Sequence, residues 1–174
     1  NRSLFATRER DLKILISGGI NSDSKILINR NIKTRVQKVA PFIRFDEDPY
    51  AVIADGRIHY IIDGYTATNF YPYSEPFSDK SNTNYIRNSV KAVVDSYDGT
   101  IDFYISDETD PIIETYSKIF PDLFKEMSEM PEFVRSHIRY PQFLFDIQAQ
   151  MYATYHMNNP DVFYNREDKW DIPI

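Results

Sequence analysis

The sequence predicts an α+β fold: an antiparallel sheet of about four strands, built from two Asp-Gly hairpins and covered by N-terminal and C-terminal helices. Asp55-Gly56 and Asp98-Gly99 predict the hairpins, because each pair separates two β-rich segments and Asp-Gly favours a two-residue type I′ turn. Apolar residues at helical spacing toward both ends of the chain predict the helices. We expect residues 1–174 to form a single soluble domain.

Charge and composition narrow the classes of function. The 174 residues carry 26 acidic and 20 basic side chains, for a formal net charge of -6. This acidic balance argues against nucleic acid as a partner, since duplex binding needs cations that neutralise phosphates. The chain has no cysteine, so it offers no disulfide, thiolate metal site or thiol nucleophile. No apolar run approaches the ~20 residues that cross a bilayer.

The first 40 residues predict two amphipathic helices. The first runs from Leu4 to Ile16. Gly18 and Gly19 follow it and permit the positive φ that ends a helix. Ser24 to Ala40 form the second, in which apolar residues recur at helical spacing and basic residues occupy other faces. Pro41 ends this second helix.

The middle of the chain changes to strand patterning. Residues 50–54 and 57–62 flank the first Asp-Gly pair, and residues 91–97 and 100–105 flank the second. Each hairpin has a face of apolar residues. We therefore expect the two hairpins to join into one sheet.

A two-residue turn fixes the register of a hairpin, since residues equidistant from the turn lie opposite each other. In the second hairpin this count places Val94 opposite Phe103, with both side chains in the core. It also places Asp95 opposite Asp102 on the other face, where like charges repel.

The last third of the chain predicts helices again. Asp110 is an expected N-cap followed by proline, and the helix that it begins ends at Pro121. Short helical turns are expected at residues 122–127 and 131–136. The longest helix begins at Pro141, and its apolar residues cover more than a narrow stripe, which predicts burial on most sides against the sheet.

The connector between the hairpins, Asp63 to Ser89, is the candidate ligand-binding segment. It is much longer than usual connections, and connectors of this length tend to be functional or disordered. Its aromatic rings offer flat apolar faces, most with polar tips, which suit a glycan or a protein partner. The alternative is that the rings fasten the connector to the body of the domain. The candidate ligand-binding residues are Tyr65, Phe70, Tyr71, Tyr73 and Phe77.

No metal, cofactor or catalytic site is predicted. The acidic runs at residues 46–48 and 107–110 do not match the spacing of an EF-hand loop. The three histidines lack the HExxH spacing of a zinc hydrolase. A carboxylate pair facing across a cleft stays open as an alternative, because the chain has 26 acidic residues.

Four runs carry a family resemblance: VAPFIRFDEDPYAVIADGRIHYIIDGYT from Val39, NYIRNSVKAVVDSYDGTIDFYISDETDPII from Asn84, HIRYPQFLFDIQAQMYATYHM from His137 and FYNREDKWDIP from Phe163. Together they resemble the bacterial multi-pass membrane proteins of uncharacterised protein family 0182. The resemblance implies several N-terminal transmembrane helices followed by a large soluble region outside the cytoplasm. It implies that this chain is a fragment of that region, in a protein of the cell membrane, and it carries over no catalytic residue.

We therefore expect a non-catalytic extracytoplasmic domain that binds or scaffolds. Its expected partners are its own transmembrane region and an envelope glycan or protein. The alternative is a hydrolase of envelope polymers that uses a carboxylate pair. A deep cleft with two carboxylates about 5 to 9 Å apart, one of them with a raised pKa, would favour the hydrolase. A flat aromatic patch without such a pair would favour binding.

Overall fold

The architecture comes from a computed structural model that describes residues 2–24, 26, 28–78 and 81–171. The chain divides into two compact units, Asn1–Arg30 and Asn31–Ile174. The expectation that residues 1–174 form a single domain stays a prediction.

The structure is a mixed α+β fold, as predicted. Its described helices are α1 (Arg2–Glu9), α2 (Lys13–Ile16), α3 (Ile32–Val39), α4 (Pro111–Ile119), α5 (Glu132–Arg135), α6 (Gln142–Tyr155) and α7 (Pro160–Asn165), with a 3₁₀ turn at Met127–Glu129. Its described strands are β1 (Arg44–Phe45), β2 (Tyr50–Ala54), β3 (Arg57–Thr68), β4 (Tyr85–Asp95), β5 (Ile101–Ile105) and β6 (Phe124–Glu126).

In the first unit, the long helix predicted from Leu4 to Ile16 is wrong, because a break separates α1 from α2. Arg10 has a left-handed φ of 54° at the break. The carboxylate of Asp11 accepts a hydrogen bond from the backbone N–H of Lys13 at 2.9 Å. Such a local bond from an aspartate competes with the helical ladder, which explains why the apolar spacing alone overestimated the helix.

The helix predicted from Ser24 to Ala40 is also too long. Helix α3 begins only at Ile32, where the Asn31 side chain accepts a hydrogen bond from the Thr34 N–H at 2.9 Å as an N-cap. Asn29 has a φ of 51°, which is incompatible with a continuous helix through this point. Lys25 and Leu27, which the prediction included, lie outside the described residues.

In the second unit, the described strands form one six-stranded sheet in the order β1-β3-β4-β5-β6, with β2 also paired to β3. All pairs are antiparallel except β5 with β6, which run parallel. Hairpins β2–β3 and β4–β5 therefore join through β3 and β4, as expected. Strand β6 lies within residues 122–127, where we predicted a helical turn. The 3₁₀ turn Met127–Glu129 follows directly after this strand.

The first hairpin has the predicted two-residue turn. Ala54 pairs directly with Arg57, and both turn residues have positive φ, 50° at Asp55 and 71° at Gly56. These are the dihedral signs of a type I′ turn.

The second hairpin pairs the predicted strands, but its register differs by two residues. Val94 lies opposite Ile101 and Val93 opposite Asp102, so the predicted Asp95–Asp102 contact is wrong. The turn is longer than two residues because the Asp95 carboxylate accepts the Tyr97 N–H at 2.7 Å. A shift of two keeps every side chain on its face, so Val94 and Phe103 both lie in the core, each 1% exposed.

Strands β3 and β4 are longer than predicted and shorten the connector between the hairpins to residues 69–84. Asp63 and Gly64 are weak strand formers, and their composition suggested a loop. The tertiary structure overrides that preference, because Asp63 forms an ion pair with Lys91 of β4 and Gly64 packs against Val90.

Both faces of the sheet are covered. On one face, β-strand residues such as Ile62, Val90 and Phe103 pack with Val36 of α3 and Ile113 of α4. On the other face, a second core joins strand residues of β2 to β5 with residues from the 3₁₀ turn to α5: Val52, Ala54, Ile61, Val93, Tyr104, Met130 and Val134. The placement of α1 and α2 against the sheet stays a prediction.

Two predictions for the last third have different outcomes. Helix α4 begins as predicted, with the Asp110 side chain accepting the Ile112 N–H and proline at the first helical position. Helix α6 also begins after Pro141, but its burial was predicted wrongly. Only Ile147 and Ala153 are buried, while large side chains such as Phe145 and Tyr152 are more than half exposed.

Gly64 should not tolerate a side chain. A Cβ at this position would lie 2.9 Å from Ile43 Cγ2 and 3.1 Å from Val90 Cβ. We expect Gly64→Ala to lower the free energy of unfolding by about 1–3 kcal/mol, as overpacking a core does, measured by urea denaturation. Gly18→Ala is the control, because no neighbouring atom lies within 4 Å of its Cβ position. Equal stability of both variants would contradict the prediction.

Candidate functional site

The shortened connector presents aromatic rings to solvent at its tip. Phe70 is 86% exposed, Tyr71 is 53% exposed and Tyr73 is fully exposed. Tyr73 also has a φ of 58°, so a non-glycine residue occupies the left-handed region at the most exposed point. We call Phe70, Tyr71 and Tyr73 the ring tip.

The ring tip is held by Asn84 at the end of the connector. The Asn84 side chain accepts the Tyr71 N–H at 3.2 Å and donates to the Tyr71 carbonyl at 2.8 Å. It also donates to the Ser74 carbonyl, and the Ser74 hydroxyl donates back to the Asn84 carbonyl at 2.8 Å. One amide side chain therefore closes the loop, which limits the conformations available to the tip.

Tyr85 connects the ring tip to the core. Its ring stacks on Tyr71 with 5.3 Å between centroids and 17° between planes. Its hydroxyl donates to Asp110 at 2.8 Å. Tyr85 was not among the residues predicted from the sequence, since it lies just outside the ring-rich part of the connector.

Two of the five predicted ligand-binding residues lie at the base of the connector instead of its tip. Tyr65 lies in β3, is 1% exposed and donates from its hydroxyl to Asp46 at 2.8 Å. Phe77 is partly buried and meets the ring of Phe143 in α6 edge to face. Tyr65 meets the same ring edge to face. Both rings thus fasten the connector to the body, and ligand binding by the five residues stays a prediction.

Buried Asp110 is the anchor for this region. Its carboxylate accepts hydrogen bonds from the hydroxyls of Thr66, Ser89 and Tyr85 and from the Ile112 N–H. Burial acts to raise the pKa of this carboxyl, but the four hydrogen bonds outweigh it and lower the pKa. Burial and the bond to Asp110 raise the pKa of Tyr85 to about 12.

A β-bulge in β4 determines which side chains face which side of the sheet. Gly64 pairs with Val90 and Thr66 pairs with Arg87, so Tyr65 alone lies opposite the two residues between them. The extra residue reverses the alternation of side chains along β4. Ser89 therefore faces α4 together with Val90.

The same bulge places Ile86 and Asn88 on the face of Lys91. These three side chains form the sheet side of an open cleft of about 650 Å³. Its opposite side comes from the segment between α5 and α6 and from the first turns of α6, including Arg139 and Leu144. No residue pattern pointed to this cleft, because the bulge that assembles it has no signature in the sequence.

A buried ion pair lies at the floor of the cleft. Lys91 and Asp63 have side chains that are 5% and 6% exposed, and the ammonium donates to the carboxylate. Arg87, at the rim, pairs with Asp107 at 3.0 Å. The hydrogen bond from the Thr109 hydroxyl has the largest influence on the Asp107 carboxyl and lowers its pKa. Burial acts in the opposite direction, and Arg87 lowers the pKa further.

Two observations in the part of the chain that the structure describes bear on metal and hydrolase chemistry. Within it, no group of three or more histidine or acidic side chains is close enough to hold a metal ion. Asp107 is the acidic residue among the described side chains that line the cleft. The pKa of its carboxyl is lowered, whereas a general acid requires a raised pKa.

Together these elements define an α+β domain with a fixed aromatic loop on a mixed sheet. The model of the family described as "Uncharacterised protein family (UPF0182)" matches residues 1–174. The chain therefore belongs to this family. The family predicted from the four sequence runs is therefore confirmed. Among the described residues, no helix combines the length and the apolar character that crossing a membrane requires.

Curated relatives in bacteria carry the family name without a function. The chain is 60% identical to a UPF0182 protein of Alkaliphilus metalliredigens, over 99% of this chain and 18% of the relative. It is 53% identical to one of Pelotomaculum thermopropionicum, over 99% of this chain and 19% of the relative. The chain thus spans about a fifth of the length of these relatives. Comparison with solved structures finds no match.

Asp110 should stabilise the fold in a pH-dependent way. We expect Asp110→Asn to lower the free energy of unfolding by about 2–3 kcal/mol at pH 7, because hydrogen bonds to a charged acceptor are lost. The folded-state pKa is depressed, so the wild-type advantage is present above pH ~4 and is lost as the pH falls through the folded-state pKa. Urea denaturation of the wild type and of Asp110→Asn from pH 7 to pH 2 measures the difference between their free energies of unfolding. Asp161→Asn, at an exposed position in the first turn of α7, is the control, and it should lower the free energy of unfolding by less than about 1 kcal/mol at pH 7.

The Lys91–Asp63 pair should be costly to break from one side. Lys91→Met leaves a buried carboxylate without its cation and should destabilise the fold by about 3–5 kcal/mol. Asp63→Leu combined with Lys91→Met should recover most of that loss, because apolar replacements of a buried pair are often neutral. Thermal or urea unfolding compares the two. A double variant as unstable as the single one would show that packing, and not unpaired charge, is responsible.

Proposed function

We propose that this chain is a non-catalytic binding domain of an integral membrane protein, located on the extracytoplasmic side, and that the ring tip contacts a partner protein of the cell envelope. The observation that carries the proposal is the exposure of three rings on a loop that Asn84 and Tyr85 fix in place. The membrane setting rests on the family resemblance in the sequence.

The chemistry of the ring tip suits a protein surface. Aromatic side chains contribute most to binding when they enter a pocket and become fully desolvated. Phe70 and Tyr73 project freely and so are available to enter such a pocket. Phe70 has no polar atom in its side chain, so it adds apolar contact without a hydrogen bond to a sugar hydroxyl.

The fixed geometry of the loop supports binding as well. A flexible loop loses conformational entropy when a partner orders it, and this loss weakens the complex. In this chain Asn84 and the Tyr71–Tyr85 stack hold the loop before any partner arrives. The loop therefore loses less conformational entropy when a partner binds.

The hydrolase alternative lacks a supporting observation. The carboxyl pKa shifts that the structure resolves are all downward, at Asp98, Asp107, Asp110 and Glu114. A general acid for glycoside cleavage requires an upward shift.

Replacing the exposed rings should strongly weaken partner binding without affecting folding. We expect Phe70→Ser with Tyr73→Ser to reduce retention of envelope proteins at least tenfold, measured by pull-down from detergent-solubilised envelope of a bacterium that carries the family. The free energy of unfolding should change by less than about 0.5 kcal/mol, because both side chains are exposed. Tyr164→Ser, at a position that is 87% exposed in α7, is the matched control.

Photo-cross-linking identifies the chemistry of the partner. p-Benzoylphenylalanine in place of Tyr73 should give a discrete protein adduct in the envelope fraction, and the same residue in place of Tyr164 should not. A polydisperse adduct that lysozyme digestion collapses would identify glycan instead. Absence of any adduct at position 73, with unchanged pull-down by the serine variant, would disprove the ring tip as a binding surface.

A further inference from the structure

The cleft between β4 and the α5–α6 segment is separate from the ring tip, and the proposed function does not use it. Its volume of about 650 Å³ lies within the ~300–1,000 Å³ usual for small-molecule sites. The cleft is therefore large enough for a small organic molecule.

The charges that line the cleft do not cancel. Arg87 is paired with Asp107, and Lys91 is paired with Asp63. Arg139 has no carboxylate partner among the described residues, and its guanidinium instead lies over the ring of Tyr50, 4.8 Å from the centroid. One positive charge is thus left over at the cleft.

Lys91 supplies hydrogen-bond donors to the cleft in addition to the positive charge of Arg139. Its ammonium has three N–H groups, and Asp63 is the acceptor that the described structure gives it. The side chain is 5% exposed and lines the cleft, so its remaining donors are shielded from bulk water. An anion in the cleft would satisfy them.

Part of the wall opposite the strands is apolar, although Arg139 and Gln148 line the same wall. Ile138, Pro141 and Leu144 line it, and Ile86 adds apolar surface from the sheet side. A fully charged ligand such as a polyphosphate would leave this wall without a matching group. An anion with an apolar body matches both the wall and the leftover charge.

We propose that the cleft binds a small amphipathic anion with one negative group, either a carboxylate or a phosphodiester. Arg139 holds the negative group, with donors from Lys91 at the floor, and the apolar body lies against Ile138 and Leu144. Fatty carboxylates and lipid headgroups both carry this chemistry, and a titration distinguishes them.

The test is an amide NMR titration of the 174-residue chain at low ionic strength with two anionic probes. Octanoate represents the carboxylate, and dihexanoyl phosphatidylglycerol below its micelle concentration represents the phosphodiester. At least one probe should shift the amide signals of Asn88 and Tyr140 saturably. Saturation by octanoate alone assigns a carboxylate ligand, and saturation by the lipid alone assigns a phosphodiester.

The variants separate binding at Arg139 from general attraction. Arg139→Gln should weaken binding at least tenfold, whereas Arg135→Gln, at an exposed position paired with Glu132, should leave it unchanged. Octyltrimethylammonium, a cation with the same apolar tail, should not bind. Failure of both anions to shift the cleft signals would overturn the proposal. Equal binding by Arg139→Gln, or by the cationic probe, would overturn it too.

These results are independent of the ring tip. Phe70→Ser with Tyr73→Ser should bind the anionic probes as the wild type does, because neither residue lines the cleft. The cleft proposal and the proposed function can therefore fail separately.

Discussion

The bulge opposite Tyr65 is the constraint on which both candidate surfaces depend. Without the extra residue in β4, Ser89 and Asn88 would exchange faces. Ser89 could not then reach Asp110, the anchor that holds Tyr85 beneath the ring tip. Asn88 would no longer share the face of Lys91, and the cleft would lose its sheet side. A single irregularity in one strand pair thus positions the support of the ring tip on one face of the sheet and the cleft on the other.

Local signals in the sequence were sufficient for the turn of the first hairpin, for the strand pairing of both hairpins and for the start of α4. At Asp55-Gly56 the pair forms the type I′ turn that its composition favours, and Asp110 followed by proline determines the start of α4. These features depend on residues close in the chain, and they were predicted well. The register of the second hairpin was not, because the side chains of Asp95 and Asp98 compete for turn N–H groups and lengthen the loop.

The parts that could not be predicted depend on contacts distant in the chain. The composition of Asp63 and Gly64 predicted a loop, but their contacts with Lys91 and Val90 of β4 keep them in a strand. Tyr65 read as a candidate ligand-binding ring, although its burial follows from extending β3 by six residues to Thr68. Arg139 had no local signal at all, since the role proposed for it depends only on its position across the cleft from β4. Both proposed surfaces depend on these long-range placements more than on local sequence pattern.

The outer strands of the sheet have a consequence for how the chain behaves at high concentration. On one side the sheet ends in β1 and β2, of two and five residues, and on the other side in β6, of three residues. Unpaired backbone groups at an edge recruit strands from other molecules, and very short edges offer too few of them for stable pairing. The short edges at β1 and β6 therefore disfavour edge-to-edge aggregation, even though several strands are rich in valine and isoleucine.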